Sequence, residues 1–598
     1  MNKPPSGGLF ISDYRQALAR TAMQKAIEVQ LRHRQILFAG VVIGLAYLLP
    51  NHYPPWPASY QDLLTGIGFT PILLWALWQK GPIPALAVGA FSLSVTPMLQ
   101  LAVGQVGFAG DAWIAWLYLV GFALAVLAGA RLDEAGSDAN EGLIELAPLM
   151  GGLVLAALVS VGIAMYQWLG LRGLNIFAAD FRPGGRPYAN LAQPNQLATL
   201  YLLGCVGAAF LYESGFLRGV VALAATLMLA FGLAMTESRT TLVALGVVWI
   251  AYLAMRRRTG LRMTATALLW PTCLYALISW IWPTLNRALL LPQASSLADR
   301  MGENLRLTLW QSMVDAIGRA PWFGYGWNQV SLAQQATALD HPATRYVFES
   351  AHNLFLDLAL WNGLPIALLV AAGLAVWFCR RIVACRDPSS WCRLLAVTLV
   401  FCHAMVEYPL TYAYFLLPVG FLMGTLNSVG SSRRREEGRI TLPRPVLAST
   451  GLFVLAMFAT VVAEYFPLEE QWRQIRFEQL RFEKAQVDAL PNIRVLTQLR
   501  ERATFTRSQA SSDMTLAQLE WMRRVAERFG GAGPSFKYAK ALALNAQPQA
   551  AGLVLSKLCK TQQPWICRSA IEEWRSLSAD KYPEMRAVVL PTLPALTK

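Results

Sequence analysis

Thirteen apolar runs of roughly 16 to 27 residues dominate the chain, near 35–50, 60–78, 82–103, 112–130, 143–168, 194–212, 217–235, 239–255, 263–282, 353–379, 391–408, 411–427 and 445–465. At about 1.5 Å of helical rise per residue, such runs cross most or all of a hydrocarbon core about 30 Å thick. A backbone that enters lipid must satisfy its own N–H and C=O groups. Repeated along the chain, that constraint selects an all-α, polytopic bundle of about 12–13 transmembrane helices. Composition agrees. Of 598 residues, 55% are apolar and 15% charged, so apolar side chains cover a lipid-facing surface as well as fill a core. The formal net charge of +15 would suggest nucleic acid in a soluble chain, but here the cations follow topology and no nucleic-acid partner is expected.

With the N-terminus in the cytoplasm, that side receives Lys3, Arg15, Arg20, Lys25, Arg32 and Arg34, together with Arg256–Arg258, Arg380–Arg381 and Arg433–Arg435. The short segments on the other side hold Arg172, Arg182, Arg186 and Arg239. This is the positive-inside asymmetry. The expected organisation is a basic cytoplasmic N-terminus over 1–34, helices 1–9 over 35–282, an outer loop over 283–352, helices 10–13 over 353–465, and an outer tail over 466–598. Residues 1–34 lack a signal-peptide apolar core and cleavage site, so the first span is expected to remain as an anchor.

The tail carries 20 Lys+Arg against 13 Asp+Glu. Helical spacing over Glu469–Gln486, Leu516–Phe529 and Ser535–Leu544, with Pro, Gly and Asn breaks, predicts an all-helical domain with a tetratricopeptide-like helix pair. Six cysteines (205, 273, 379, 385, 392 and 402) lie in or beside spans, as small apolar residues do. Cys559 and Cys567 flank a turn at Gln562–Pro564 in the outer domain, where an oxidising periplasm would join them as a disulfide. Nothing in the sequence has the spacing of a metal, nucleotide or dinucleotide site.

Mid-span positions are nearly free of charge, unlike an ion-coupled transporter with its mid-bilayer groups and related halves. Polar residues gather at the outer ends of spans: Glu237 and Arg239, His352 and Asp357, and His403, Glu407 and Tyr408. That distribution describes a site at the outer leaflet, reached by a substrate with a lipid tail and a polar head. Each residue has a plainer reading. Arg239 could snorkel to headgroups, and it could equally grip a phosphate through its planar fork. Arg306 opens an amphipathic helix with Leu309, Trp310, Met313 and Ile317 that could lie on the membrane surface; it ends at the aromatic turn Pro321–Trp327. His352 is a capping histidine or a proton acceptor for a hydroxyl. His403, deeper in its span, reads as a packing or pore-lining residue. The amides Gln193, Asn195 and Gln196 surround Pro194, a helix-start residue, and could bind sugar or phosphate.

Taken together, Ser238-Arg239, the Arg306 helix before Pro321-Trp322-Phe323-Gly324-Tyr325-Gly326, and His352-Asn353-Leu354-Phe355-Leu356 followed by Asn362-Gly363-Leu364 resemble the O-antigen ligase superfamily. Gln193-Pro194-Asn195-Gln196 and Glu407-Tyr408-Pro409-Leu410, with Tyr412, Tyr414, Phe415 and Leu416 behind, resemble its protein O-oligosaccharyltransferase branch, which glycosylates pilins and other exported proteins.

The resemblance implies a bundle of the glycosyltransferase-C kind in the bacterial inner membrane, with site and tail facing the periplasm. It implies transfer of a preassembled glycan from undecaprenyl diphosphate to Ser or Thr hydroxyls, inverting and without metal or other cofactor. The expected catalytic residues are His352, Arg239 and Arg306. Donor or acceptor binding is expected from Gln193, Asn195, Gln196, Asn353, Glu407 and Tyr408. The partners implied are the lipid-linked oligosaccharide, a pilin or other exported protein, and the bilayer. O-antigen ligation to lipid A-core, or O-antigen polymerisation, uses the same chemistry with another acceptor, and a lipid or polysaccharide transporter is the reading from a different class.

Overall fold

A computed structural model describes residues 8–135, 139–292, 305–427, 441, 443–480 and 492–593. Every apolar run has become a helix: α1 (Gly8–Leu48), α2 (Ser59–Trp78), α3 (Ala85–Ala102), α4 (Ala109–Ala135), α5 (Ala139–Trp168), α6 (Pro194–Glu213), α7 (Gly219–Thr236), α8 (Arg239–Thr259) and α9 (Ala265–Ala288). Among the described residues, nine helices are individually long and apolar enough to cross a membrane. α9 leaves Trp270, Leu277 and Trp280 exposed, as a lipid-facing helix does. α4 meets the later helix Ala413–Thr425 through Gly129 and Gly424, where a Cβ would collide with the opposing backbone. Small residues allow that close approach.

α10 (Leu305–Arg319) and α11 (Val330–Thr337) lie in the long connection after α9. The basic run Arg433–Arg435 falls outside the described residues.

Four boundaries differ from expectation. The first helix begins at Gly8, far inside the segment assigned to a basic terminus, because no Pro or Gly interrupts residues 9–34. The tenth run is divided into α12 (Leu354–Asn362) and α13 (Leu364–Ala384). Gly363 between them has φ +80°, a conformation that glycine adopts freely. The break docks on the aromatic turn: Leu364 N donates to Pro321 O (2.7 Å), and Tyr325 N to Leu360 O (2.6 Å). α14 (Pro388–Ala404) and α15 (Ala413–Thr425) are parted by eight residues, with a 3₁₀ turn at Pro409–Thr411. Glu407 lies in that loop, beyond the helix end.

The last membrane helix does not stop near residue 465. It continues as α16 (Arg444–Gln479), so Glu469 onward extends it instead of starting a tail helix; the end of the predicted Glu469–Gln486 segment lies outside the described residues. Beyond it stand α17 (Thr497–Arg507), α18 (Leu516–Phe529), α19 (Ala532–Leu544), α20 (Pro548–Thr561) and α21 (Pro564–Asp580). A Thr515–Gln518 capping box starts α18 and Gly530 ends it. Cys559 and Cys567 form a disulfide that links α20 to α21.

The tail is anchored to the bundle. Arg528 grips Asp111 of α4 through two bonds of 2.9 and 2.8 Å, and Glu464 accepts from the backbone N–H groups of Arg494, Val495 and Leu496. Phe108 inserts among Phe505, Leu519, Met522, Val525 and Ala541.

Candidate active site

The site forms where the polar ends of α6, α8, α10, α12 and α14 converge on one carboxylate. Glu407 is 3% exposed, a burial that isolated charge does not tolerate. Four side chains compensate it. His352 Nδ1 lies 2.9 Å from Oε2, Gln193 Nε2 donates to Oε2 at 3.2 Å, Asn195 Nδ2 donates to Oε1 at 2.6 Å, and Arg306 Nη2 bonds the same Oε1. Burial pushes the carboxyl upward, but the hydrogen bond to His352 and the Arg306 charge outweigh it and hold Glu407 down at about 2.

Each donor is placed by its element. Gln193 is the extended residue before α6, with Pro194 at the first helical position; Asn195 follows within the first turn. Arg306 stands at the start of α10, 31% exposed, so that one of its five N–H donors reaches Glu407 while the fork remains open to a ligand. His352 takes a left-handed φ of 55°, uncommon for a non-glycine residue. Asp357 holds that conformation: it accepts from Ser350 Oγ and Ala351 N, both at 2.6 Å, and Ser350 Oγ accepts from His352 N at 2.9 Å. The imidazole packs edge-to-face on Tyr408 (4.8 Å) and Phe348 (5.5 Å).

The other anticipated residues take different places. Arg239 opens α8 directly after Ser238, whose Oγ donates to Asn195 Oδ1 at 2.8 Å. Asn353 spends its side chain on structure: Oδ1 accepts from Phe355 N and Leu356 N, and Nδ2 donates to Met405 O, which ties the cap of α12 to the Glu407 loop. Gln196 turns away from the carboxylate and accepts from Tyr414 OH at 2.9 Å. His403 is buried against Thr199 (2.6 Å), a packing role. Arg186 was not singled out from the sequence; it donates to Thr236 O (2.8 Å) and Asn195 Oδ1 (3.1 Å). Its signal was the basic residue inside the Gly184–Gln196 turn-rich segment.

His352, Glu407 and Tyr408 line one cavity of about 1650 Å³. Its apolar wall includes Leu369, Val370, Leu374 and Trp377 of α13, and its polar end reaches Arg502, Arg528 and Phe529 of the tail. The Glu407 carboxylate is an acceptor that suits an Nδ1–H donor, and in the neutral ring that tautomer carries its lone pair on Nε2. Such a ring can take a proton from a hydroxyl.

The O-antigen ligase family matches residues 224–371, which contain Arg239, Arg306 and His352. The protein glycosylation ligase family matches 187–212, with Gln193 and Asn195, and the C-terminal family of virulence factor membrane-bound polymerases matches 391–560, with Glu407, Tyr408 and most of the tail. Two Acinetobacter baylyi relatives are curated. A general O-oligosaccharyltransferase is 29% identical over 86% of this chain and 90% of its own length. A ComP-specific O-oligosaccharyltransferase is 26% identical over 67% of this chain and 72% of its own. The Glu407-centred site thus draws its residues from all three family matches, and the chain is similar over most of its length to protein O-oligosaccharyltransferases and carries the O-antigen ligase match.

Proposed function

We propose that this chain moves a preassembled glycan from undecaprenyl diphosphate to Ser or Thr hydroxyls of a pilin or other exported protein, in the bacterial inner membrane with site and tail facing the periplasm. The observation that supports it most is the Glu407 carboxylate bonded at once to His352 and Arg306. The acceptor hydroxyl gives its proton to His352 Nε2 as its oxygen attacks the anomeric carbon. Diphosphate leaves from the opposite face, which inverts that carbon. Arg306, Arg239 and Arg186 bind the growing phosphate charge, where preorganised cations lower the barrier most.

The reading involves no resident metal. Both oxygens of Glu407 are occupied by side-chain donors, and the arginines do the electrostatic work. The apolar wall of the cavity suits a polyprenyl chain and its polar end suits the head group. Gln193 and Asn195 fix the carboxylate, Tyr408 confines the imidazole, and Asn353 and Gln196 set the loops that hold them.

The test is reconstitution in cells lacking their own ligases, with a lipid-linked oligosaccharide pathway and a candidate pilin. Intact-mass spectrometry of the pilin should show a glycan-sized increment that disappears in His352→Ala at equal membrane abundance. Glycan on lipid A-core with an unmodified pilin would transfer the same chemistry to an O-antigen ligase.

A further inference from the structure

Several arginines of the tail that face the bundle or their own helix are paired with acids. Arg500 pairs with Glu501 (2.6 Å), Arg507 with Glu478 (3.0 Å), Arg523 with Glu520 (2.7 Å) and Arg528 with Asp111 (2.8 Å). Arg502 differs. Among the described residues its side chain makes no hydrogen bond and no ion pair; the guanidinium lies 5.1 Å from the Trp472 ring centroid and 4.7 Å from that of Phe529. Two aromatic faces fix this cation before any ligand arrives, which lowers the entropic cost of binding an anion.

Its location joins it to the site. Arg502 lines the cavity that His352, Glu407 and Tyr408 line. Glu349, three residues before His352, lines it too, and its charge is felt by both Tyr408 and Arg502. Burial lowers the Arg502 pKa and Glu349 opposes the shift; a guanidinium stays charged throughout. A single planar fork with one acidic neighbour fits a monoanion, whereas a diphosphate is served by Arg306 on Glu407 and Arg186 on Asn195.

We propose that Arg502 is a carboxylate subsite of the tail, which recognises a carboxylate on the polar substrate whose reacting group lies at His352. This rests on the transfer reaction proposed above. The carboxylate can come from an acidic residue or terminus of the acceptor polypeptide, or from an acidic sugar of the glycan.

Binding separates this proposal from the reaction itself. Full-length chain in detergent is titrated with a fluorescent hydroxyl-bearing acceptor peptide and its carboxamide twin, and separately with a lipid-linked glycan containing a uronic acid and its neutral counterpart. In one of the two pairs the acid should bind about tenfold or more tighter than its twin. Arg502→Met, which keeps the packing volume, should erase that preference, and Arg502→Lys should retain part of it. The pair that shows the preference names the source. Equal binding within both pairs, or a preference unchanged in an Arg502→Met chain of normal thermal stability, overturns the proposal. Failure of the glycosylation reading would appear elsewhere, as wild-type chain that binds both pairs yet modifies no pilin.

Discussion

His352 Nδ1 stands 2.9 Å from Glu407 Oε2, and with the carboxyl held at about 2 the proton between them belongs to the ring. The consequence is a fixed tautomer. In the neutral ring of that tautomer Nε2 carries the lone pair, and Glu407 would stabilise the imidazolium that forms if Nε2 takes a proton. The same carboxylate also bonds Arg306, so one buried charge positions both the proposed base and the cation proposed to bind phosphate.

Glu407→Gln tests that shared role. The amide keeps the shape, removes the charge and can offer an N–H where His352 needs an acceptor. Transfer should fall by about 10² to 10⁴-fold in kcat, with a smaller change in KM for the donor. Full activity in Glu407→Gln would show that His352 acts without a partner.

Asn195 gives an ordered pair of variants. Its Nδ2 donates to Glu407 at 2.6 Å while its Oδ1 accepts from Ser238 and Arg186. Asn195→Ala removes these bonds and should lower activity by about 5 to 150-fold, the equivalent of 1–3 kcal/mol. Asn195→Asp is closer in shape, yet it sets a second carboxylate against Glu407, so its loss should exceed that of alanine. The reverse order in kcat would mean that Asn195 serves its Arg186 side more than Glu407.

Glu407 also sets an acid limit on stability. Its folded value of about 2 lies below the ordinary 4.5, so the stabilisation is complete above pH 4.5 and is lost as pH falls through about 2. The difference in Tm between wild type and Glu407→Gln should therefore hold constant from pH 8 to pH 5 and shrink below pH 4.5. A difference that closes between pH 8 and pH 6 would show that the Glu407 carboxylate is not the group responsible.

What was legible in the sequence divides along physical lines. Lipid makes span composition nearly self-declaring, so each apolar run became a helix. The residue types of the site were legible too, because polar groups at span ends are rare. Their meeting was not: Arg306 and His352 lie 101 and 55 residues from Glu407, and Asn195 lies 212 away, separations that no local pattern encodes. Gln193 and Gln196 look alike in sequence and part company because one precedes the first turn of α6 and the other lies within it. The break at Gly363 was hidden inside an apolar run, since a glycine at positive φ leaves no trace in hydropathy. The length of α16 was hidden by Pro467, which ends many helices but here sits inside one.

The Asp111–Arg528 pair carries the last prediction, because it decides whether the tail is an integral wall of the cavity. Both side chains are buried, Asp111 at 2% exposed, and both line the cavity. Removing one partner strands the other charge, so Arg528→Met or Asp111→Asn alone should cost about 3–5 kcal/mol of tail docking. The double variant should recover most of that, since no isolated charge remains and the Phe108 cluster still packs on α18. Hydrogen exchange of the α18 amides reads the difference directly: fast in each single variant, slow in wild type and in the double. If all three variants protect α18 as wild type does, the Phe108 cluster and the Glu464 cap hold the tail by themselves, and the ion pair serves the cavity's charge instead of its architecture.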